Sequence, residues 1–178
     1  MGHGHQGDLW KGLRMNELAI VSTDHCPFCF KDQKELGLGD FSKIPNGAPG
    51  IETRLPVAFT KFVAERKVPL TRFVDITSAN AARILGCYPQ KGAILPGSDA
   101  DIVVFDPKAG KTIQAATQKS IIDYNVFEGQ HVKGLPRFTL TRGHVAIHDG
   151  EVRTQEGHGH FVPREARPAR SCPRLRSV

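Results

Sequence analysis

Apolar residues first recur at a helical interval in residues 8–18, "DLWKGLRMNEL", where Leu9, Leu13 and the stem of Met15 share one face and Asp8 suits the N-cap. Residues 1–7 have no period and are expected to be loose. "LAIVS" (18–22) is a short apolar run ended sharply by Thr23, Asp24 and His25. It reads as a buried strand that delivers its polar residues at its carboxyl end. Residues 31–50 are rich in Gly, Pro and charge, and a connection of that length inside a compact domain is usually functional. From Ile51 to Val63, apolar residues at 51, 55, 58, 59, 62 and 63 predict a helix with Pro56 in its first turn or at a kink. A second helical pair follows, "PLTRFVDIT" leading into "SANAARILG", with Ser78 as the new cap and Gly86 as a left-handed stop.

Beyond Gly86 the period becomes strand-like. A turn is expected at Pro96-Gly97, and a strand at Ile102 to Phe105 closed by Asp106 and Pro107. "RFTLTRGHVAIHDGEVRT" predicts further strands, broken by Gly143 and by Asp149-Gly150, a pair suited to a type I′ hairpin. The order is therefore strand, loop and helices first, then β-structure alone. No repeat of 20–50 residues is visible.

Composition narrows the class. The 178 residues hold one ordinary domain or parts of two, and 18 Gly with 12 Pro imply many turns and short helices. No apolar run approaches the roughly 20 residues of a membrane helix, so no membrane partner is expected. Cys26, Cys29, Cys87 and Cys172 occur without an apolar leader, which points to a reduced cytoplasm and no disulfide framework. Residues 164–178 carry five Arg against one Glu, and so four of the six net positive charges. The body is nearly neutral, nucleic acid is not an expected partner, and the tail is expected to be disordered.

The densest chemistry is "STDHCPFCF" (22–30). One reading is a dithiol at Cys26 and Cys29, as where a glutaredoxin-like protein begins; breakers from Gly37 onward leave little room for the helix that would activate the thiol. Another is zinc on the same cysteines, which lack a second close pair. In the third, Asp24 is the reacting group, a carboxylate at a barrel strand's carboxyl end where it binds metal or takes a proton. On spacing alone all three stay open.

"LWKGLRMNELAIVSTDHCPFCFKDQKELGLGDFSKIPNGAPGIETRLP" and "DITSANAARILGCYPQKGAILPGSDADIVVFDP" resemble consecutive blocks of the hydantoinase/dihydropyrimidinase family, cyclic-amide hydrolases of the amidohydrolase superfamily; the similarity runs from about Leu9 to about Pro163. The resemblance implies an α/β plus β fold: the carboxyl-terminal part of a TIM-like metal-dependent hydrolase barrel, followed by strands of the composite β-sandwich domain. Residues 1–86 would hold the last barrel strand, active-site loop and flanking helices, and residues 87–163 the β-sandwich segment. It further implies that Asp24 matches the strand-eight aspartate, a metal ligand and general base, that Asn46 in "IPNG" offers its backbone to the substrate's ring amide, and that His25 supports the site by a hydrogen bond. Gly47 and Gly50 would permit close backbone approach. The implied cofactor is a pair of zinc ions, the substrate a hydantoin or dihydropyrimidine, and the assembly a homotetramer.

Of the family's metal set, an HxH pair, a carboxylated lysine, two further histidines and the aspartate, only the aspartate is matched. His3 and His5 imitate HxH without a preceding strand. His144 and His148 on one strand face would stand about 14 Å apart, and His131, His158 and His160 belong to the β-rich end. The chain alone is expected to be inactive and to expose apolar edges. A non-catalytic dihydropyrimidinase-related assembly protein is the alternative from another class, with the CxxC redox protein a third.

Overall fold

A computed structural model describes residues 4–164. The basic tail beyond residue 164 lies outside the described residues. Helix α1, Gly4–Met15, begins earlier than its apolar spacing predicts, so residues 4–7 are helical rather than loose. Only Leu13 and, in part, Trp10 pack inward, whereas Leu9 and Met15 are exposed. The helix stops at Asn16, whose φ of 66° turns the chain away while the Glu17 and Leu18 N–H groups bond the Gly12 carbonyl.

Residues 19–22 follow a bend at Leu18 and form no ladder with any described residue, and Leu18 and Ile20 are exposed. A strand needs a neighbour's backbone ladder; here one backbone bond and two arginine side chains take its place. The Val21 N–H bonds Ile76 O at 2.9 Å, Arg54 Nη1 donates to Val21 O at 3.0 Å and Thr77 O at 3.3 Å, and Arg72 holds Leu13 O and Leu18 O. The expected buried strand is thus an extended rail on a helical base.

That base is α2 (Arg54–Ala58), continued by a wide turn over Phe59–Ala64, then α3 (Leu70–Val74), a second wide turn over Asp75–Ala79, and α4 (Asn80–Ile84). Pro56 sits in the first turn of α2, where its missing N–H costs nothing. The chain is helical from Leu70 through Ile84, so Ser78 is internal and caps nothing; the cap is Pro69, whose carbonyl accepts from Arg72 and Phe73. Gly86 adopts φ 72°, as a left-handed stop requires. Phe59, Phe62, Phe73 and Ile76 from these turns, with Leu13 and Val68, form the core.

The remainder is a four-stranded antiparallel meander, β1 (Ile102–Thr112), β2 (His131–Thr141), β3 (His144–His148) and β4 (Glu151–Val152). β1 does not end at Asp106-Pro107. The Asp106 carboxylate accepts the N–H groups of Lys108 and Ala109, which satisfies a bulge, and pairing resumes at Gly110. Arg142-Gly143 and Asp149-Gly150 all have positive φ and make two-residue hairpins. The sheet meets the helices through Phe105, 4.8 Å from Phe59 between ring centroids, and through Thr60, whose hydroxyl accepts the Lys133 N–H at 2.9 Å. At Gly134 (φ 80°) a Cβ would lie 2.4 Å from the Phe59 ring. Among the described residues no helix is long and apolar enough to cross a membrane.

Before β1, Lys91 bridges Asp99 and Asp101. Burial pushes the Asp101 carboxyl up, but Lys91 and the Arg142 N–H outweigh it and hold the group below the usual carboxylate range. A lowered folded-state value stabilises the fold above the unfolded pKa, near 4, and that stability is lost as pH falls through the folded value. We expect Asp101→Asn to cost about 1 kcal/mol at neutral pH, a charge-assisted hydrogen bond discounted for partial exposure. Urea melts from neutral pH down to about pH 3 should show a shallower acid loss in the variant.

Candidate active site

Asp24 ends the extended rail with its carboxylate exposed and its backbone at φ 44°. Aspartate is among the few side chains that tolerate this left-handed region, and such strain gathers at functional positions. The chain then turns against its own loop. His25 pairs with Ala48 as a parallel bridge, the Cys26 N–H donates to Ala48 O at 3.3 Å, and the Gly50 N–H donates to His25 Nδ1 at 3.1 Å. An Nδ1 that accepts leaves the neutral ring's proton on Nε2. His25 therefore fastens the loop beside Asp24.

Gly47 permits the approach. Its φ is 111°, and a Cβ there would stand 2.3 Å from Cys26 Cβ and 2.8 Å from Cys26 O. Gly50 is different: a Cβ would make an ordinary 3.5 Å contact with Thr23, so the expected need for glycine holds at 47 and not at 50. Asn46 is exposed between two residues whose carbonyls are held by one cation, Lys34 Nζ, which donates to Pro45 O and, at 2.6 Å, to Gly47 O. The ammonium also lies 5.4 Å from the Phe28 ring centroid.

Two carboxylates tie a later segment to this region. Asp123 accepts the Phe30 and Lys31 N–H groups at 2.6 and 2.9 Å. Hydrogen bonds from Lys31 and then Phe30 hold the Asp123 carboxyl below the usual range. Glu52 accepts from the Ser120 and Lys119 N–H groups at 2.7 and 3.0 Å. Sequence reasoning missed Lys34, Glu52 and Asp123. Their partners are backbone atoms up to 93 residues away, and periodicity carries no trace of such pairing.

Cys26 and Cys29 are free thiols, and no helix starts at Cys26, as a glutaredoxin-like site requires. The dithiol reading loses its physical basis. The zinc pair does not fit the described residues alone, since among them no three His, Cys, Asp or Glu side chains stand close enough to hold an ion. The structure brings Asp24, His25 and the Asn46 loop into one sequence-local unit, while His131, His144 and His148 sit on the sheet.

We expect Lys34→Met to free the Pro45 and Gly47 carbonyls at about 1–2 kcal/mol of local stability. Hydrogen exchange should quicken at the Cys26 and Gly50 amides while the global melt stays in place.

A model of the amidohydrolase family matches residues 5–146. The D-hydantoinase of Streptomyces coelicolor is 48% identical over 160 residues, covering 90% of this chain and 34% of the relative. Dihydropyrimidinase-related protein 5 of Mus musculus is 45% identical over 156 residues, covering 88% of this chain and 28% of that one. The D-hydantoinase structure from Bacillus sp. AR9 superposes with a TM-score of 0.89 at 44% identity, over 92% of this chain and 36% of that one. The chain spans about a third of the length of the relatives it matches.

Proposed function

Since the chain belongs to the amidohydrolase family, we propose that it carries the proton-transferring carboxylate and the substrate loop of a cyclic amidohydrolase that opens a hydantoin or dihydropyrimidine ring. In this reading residues 18–24 are a barrel strand, and β1–β4 belong to a β-sandwich beside it. The observation that carries the proposal is Asp24: an exposed carboxylate on a left-handed backbone, next to a loop pinned by His25, Cys26 and Lys34.

The work of these residues follows from their chemistry. When water attacks the ring carbonyl carbon, Asp24 accepts its proton; when the ring C–N bond breaks, the same carboxyl returns that proton to the leaving nitrogen. The carboxylate is regenerated and no electrons leave the system. Asn46 and its neighbours present backbone groups to the ring amide, and a loop already held in place spends little entropy on ordering. A metal centre, as the resemblance implies, would supply an activated water and would need imidazoles beyond those described.

A second reading, homo-oligomer formation with or without catalysis, is favoured by apolar side chains in solvent: Leu38 is 77%, Phe41 86% and Ile121 92% exposed.

The test is an exchange. Residues 9–163 replace the matching segment of the Streptomyces coelicolor D-hydantoinase, and hydantoin ring opening is followed by ultraviolet absorbance. The hybrid should hydrolyse hydantoin. A folded, metal-loaded hybrid without ring opening would refute the proposal.

A further inference from the structure

Away from Asp24 and its loop in sequence, the β2–β3 hairpin and residues 154–160 enclose a cleft whose lining includes Asp101, Arg142, His144, His158 and His160. The His144 and His158 rings stand 5.3 Å apart between centroids at an interplanar angle of 44°. His144 Nε2 lies 3.3 Å from Arg153 O, and His158 Nε2 lies 3.1 Å from Thr141 O. A carbonyl oxygen only accepts, so each Nε2 carries a hydrogen and each neutral ring keeps its lone pair on Nδ1.

Metal-binding imidazoles are held in this manner, with one ring N–H committed to a backbone carbonyl and the other nitrogen free. Their spacing fits as well. Two imidazole nitrogens about 2.0–2.1 Å from one ion, at a tetrahedral angle, place their ring centroids about 5 Å apart. Charge does not oppose the ion. Lys91 is matched by Asp99 and Asp101, while Arg142 donates its backbone N–H to Asp101 and its guanidinium to His158 O. Two cations thus face two anions.

We propose that His144 and His158 bind one divalent transition-metal ion through their Nδ1 atoms, fastening residues 154–160 to the β2–β3 hairpin. An imidazole pair selects zinc, nickel or copper over magnesium and calcium. Among the described residues no third His, Cys, Asp or Glu joins them closely enough, so water fills the remaining positions and the ion exchanges readily. Nothing in the proposal depends on Asp24 or on hydrolysis.

The full chain is titrated calorimetrically with Zn²⁺ at neutral pH. One equivalent should be taken up and lost in His144→Gln and in His158→Gln, while Cys26→Ser/Cys29→Ser retains it. Because a glutamine variant risks unfolding the hairpin, the unaltered chain is also titrated with Co²⁺ and its histidine ring protons followed by NMR; His144 and His158 should broaden first. Undiminished zinc uptake by the double glutamine variant, or cobalt broadening that begins elsewhere and spares these two rings, overturns the proposal.

Discussion

Asp24→Asn in the hybrid enzyme should lower kcat for hydantoin by about 10²–10⁴-fold, the range a general acid–base group contributes. The variant is informative because it changes so little else. Asparagine has the shape of aspartate and is at home at the φ of 44° that residue 24 adopts. The side chain is exposed, so the melt should move by no more than about 0.5 kcal/mol. A carboxamide accepts hydrogen bonds but carries no charge and takes no proton near neutral pH, so the metal content of the hybrid is measured beside kcat to separate lost ligation from lost proton transfer. If kcat survives while KM rises, Asp24 binds substrate and does not move protons.

The largest loss of stability is expected from Phe62→Ala. Phe62 is fully buried, lies 5.9 Å from Trp10 between ring centroids, and belongs to the cluster that joins α1 to the wide turn after α2. Truncating a buried phenylalanine costs about 3–5 kcal/mol, from lost transfer energy and the cavity left behind. A domain of this size has about 5–15 kcal/mol in total, so a large share of the folding free energy goes with one ring. Trp10 is the sole tryptophan, and its fluorescence reports the urea midpoint from beside the vacated space. Phe161→Ala is the control: its ring is 87% exposed and its removal should leave the midpoint in place.

Local rules made some of this structure legible. The left-handed stop at Gly86, the turn at Pro96-Gly97, the hairpin at Asp149-Gly150 and the helix that admits Pro56 in its first turn all follow from conformational preferences of the residues themselves. Tertiary context decided the misses. Ser78 is a good cap in isolation, but packing of Ile76 and Ala79 keeps the backbone helical through it. Pro107 marks a strand end by propensity, yet Asp106 absorbs the bulge and β1 continues. The apolar run at 18–22 signals burial on both faces, whereas its outer residues meet solvent. Spacing alone made Asp24 one candidate among three, and only the resemblance ranked it. What geometry added is the unusual backbone beneath it and the clamp on the neighbouring loop.

Gly134 bears on any attempt to diversify this polypeptide. A methyl group there would press on the rings of both Phe59 and Phe105, at 2.4 and 2.6 Å, with a backbone that already disfavours every chiral residue. At Gly129 and Gly150 the backbone is equally left-handed but nothing stands within 4 Å, so a replacement there meets conformational cost alone, about 1 kcal/mol. A library randomised over the sheet will accordingly recover survivors at the two open turns and almost none at 134.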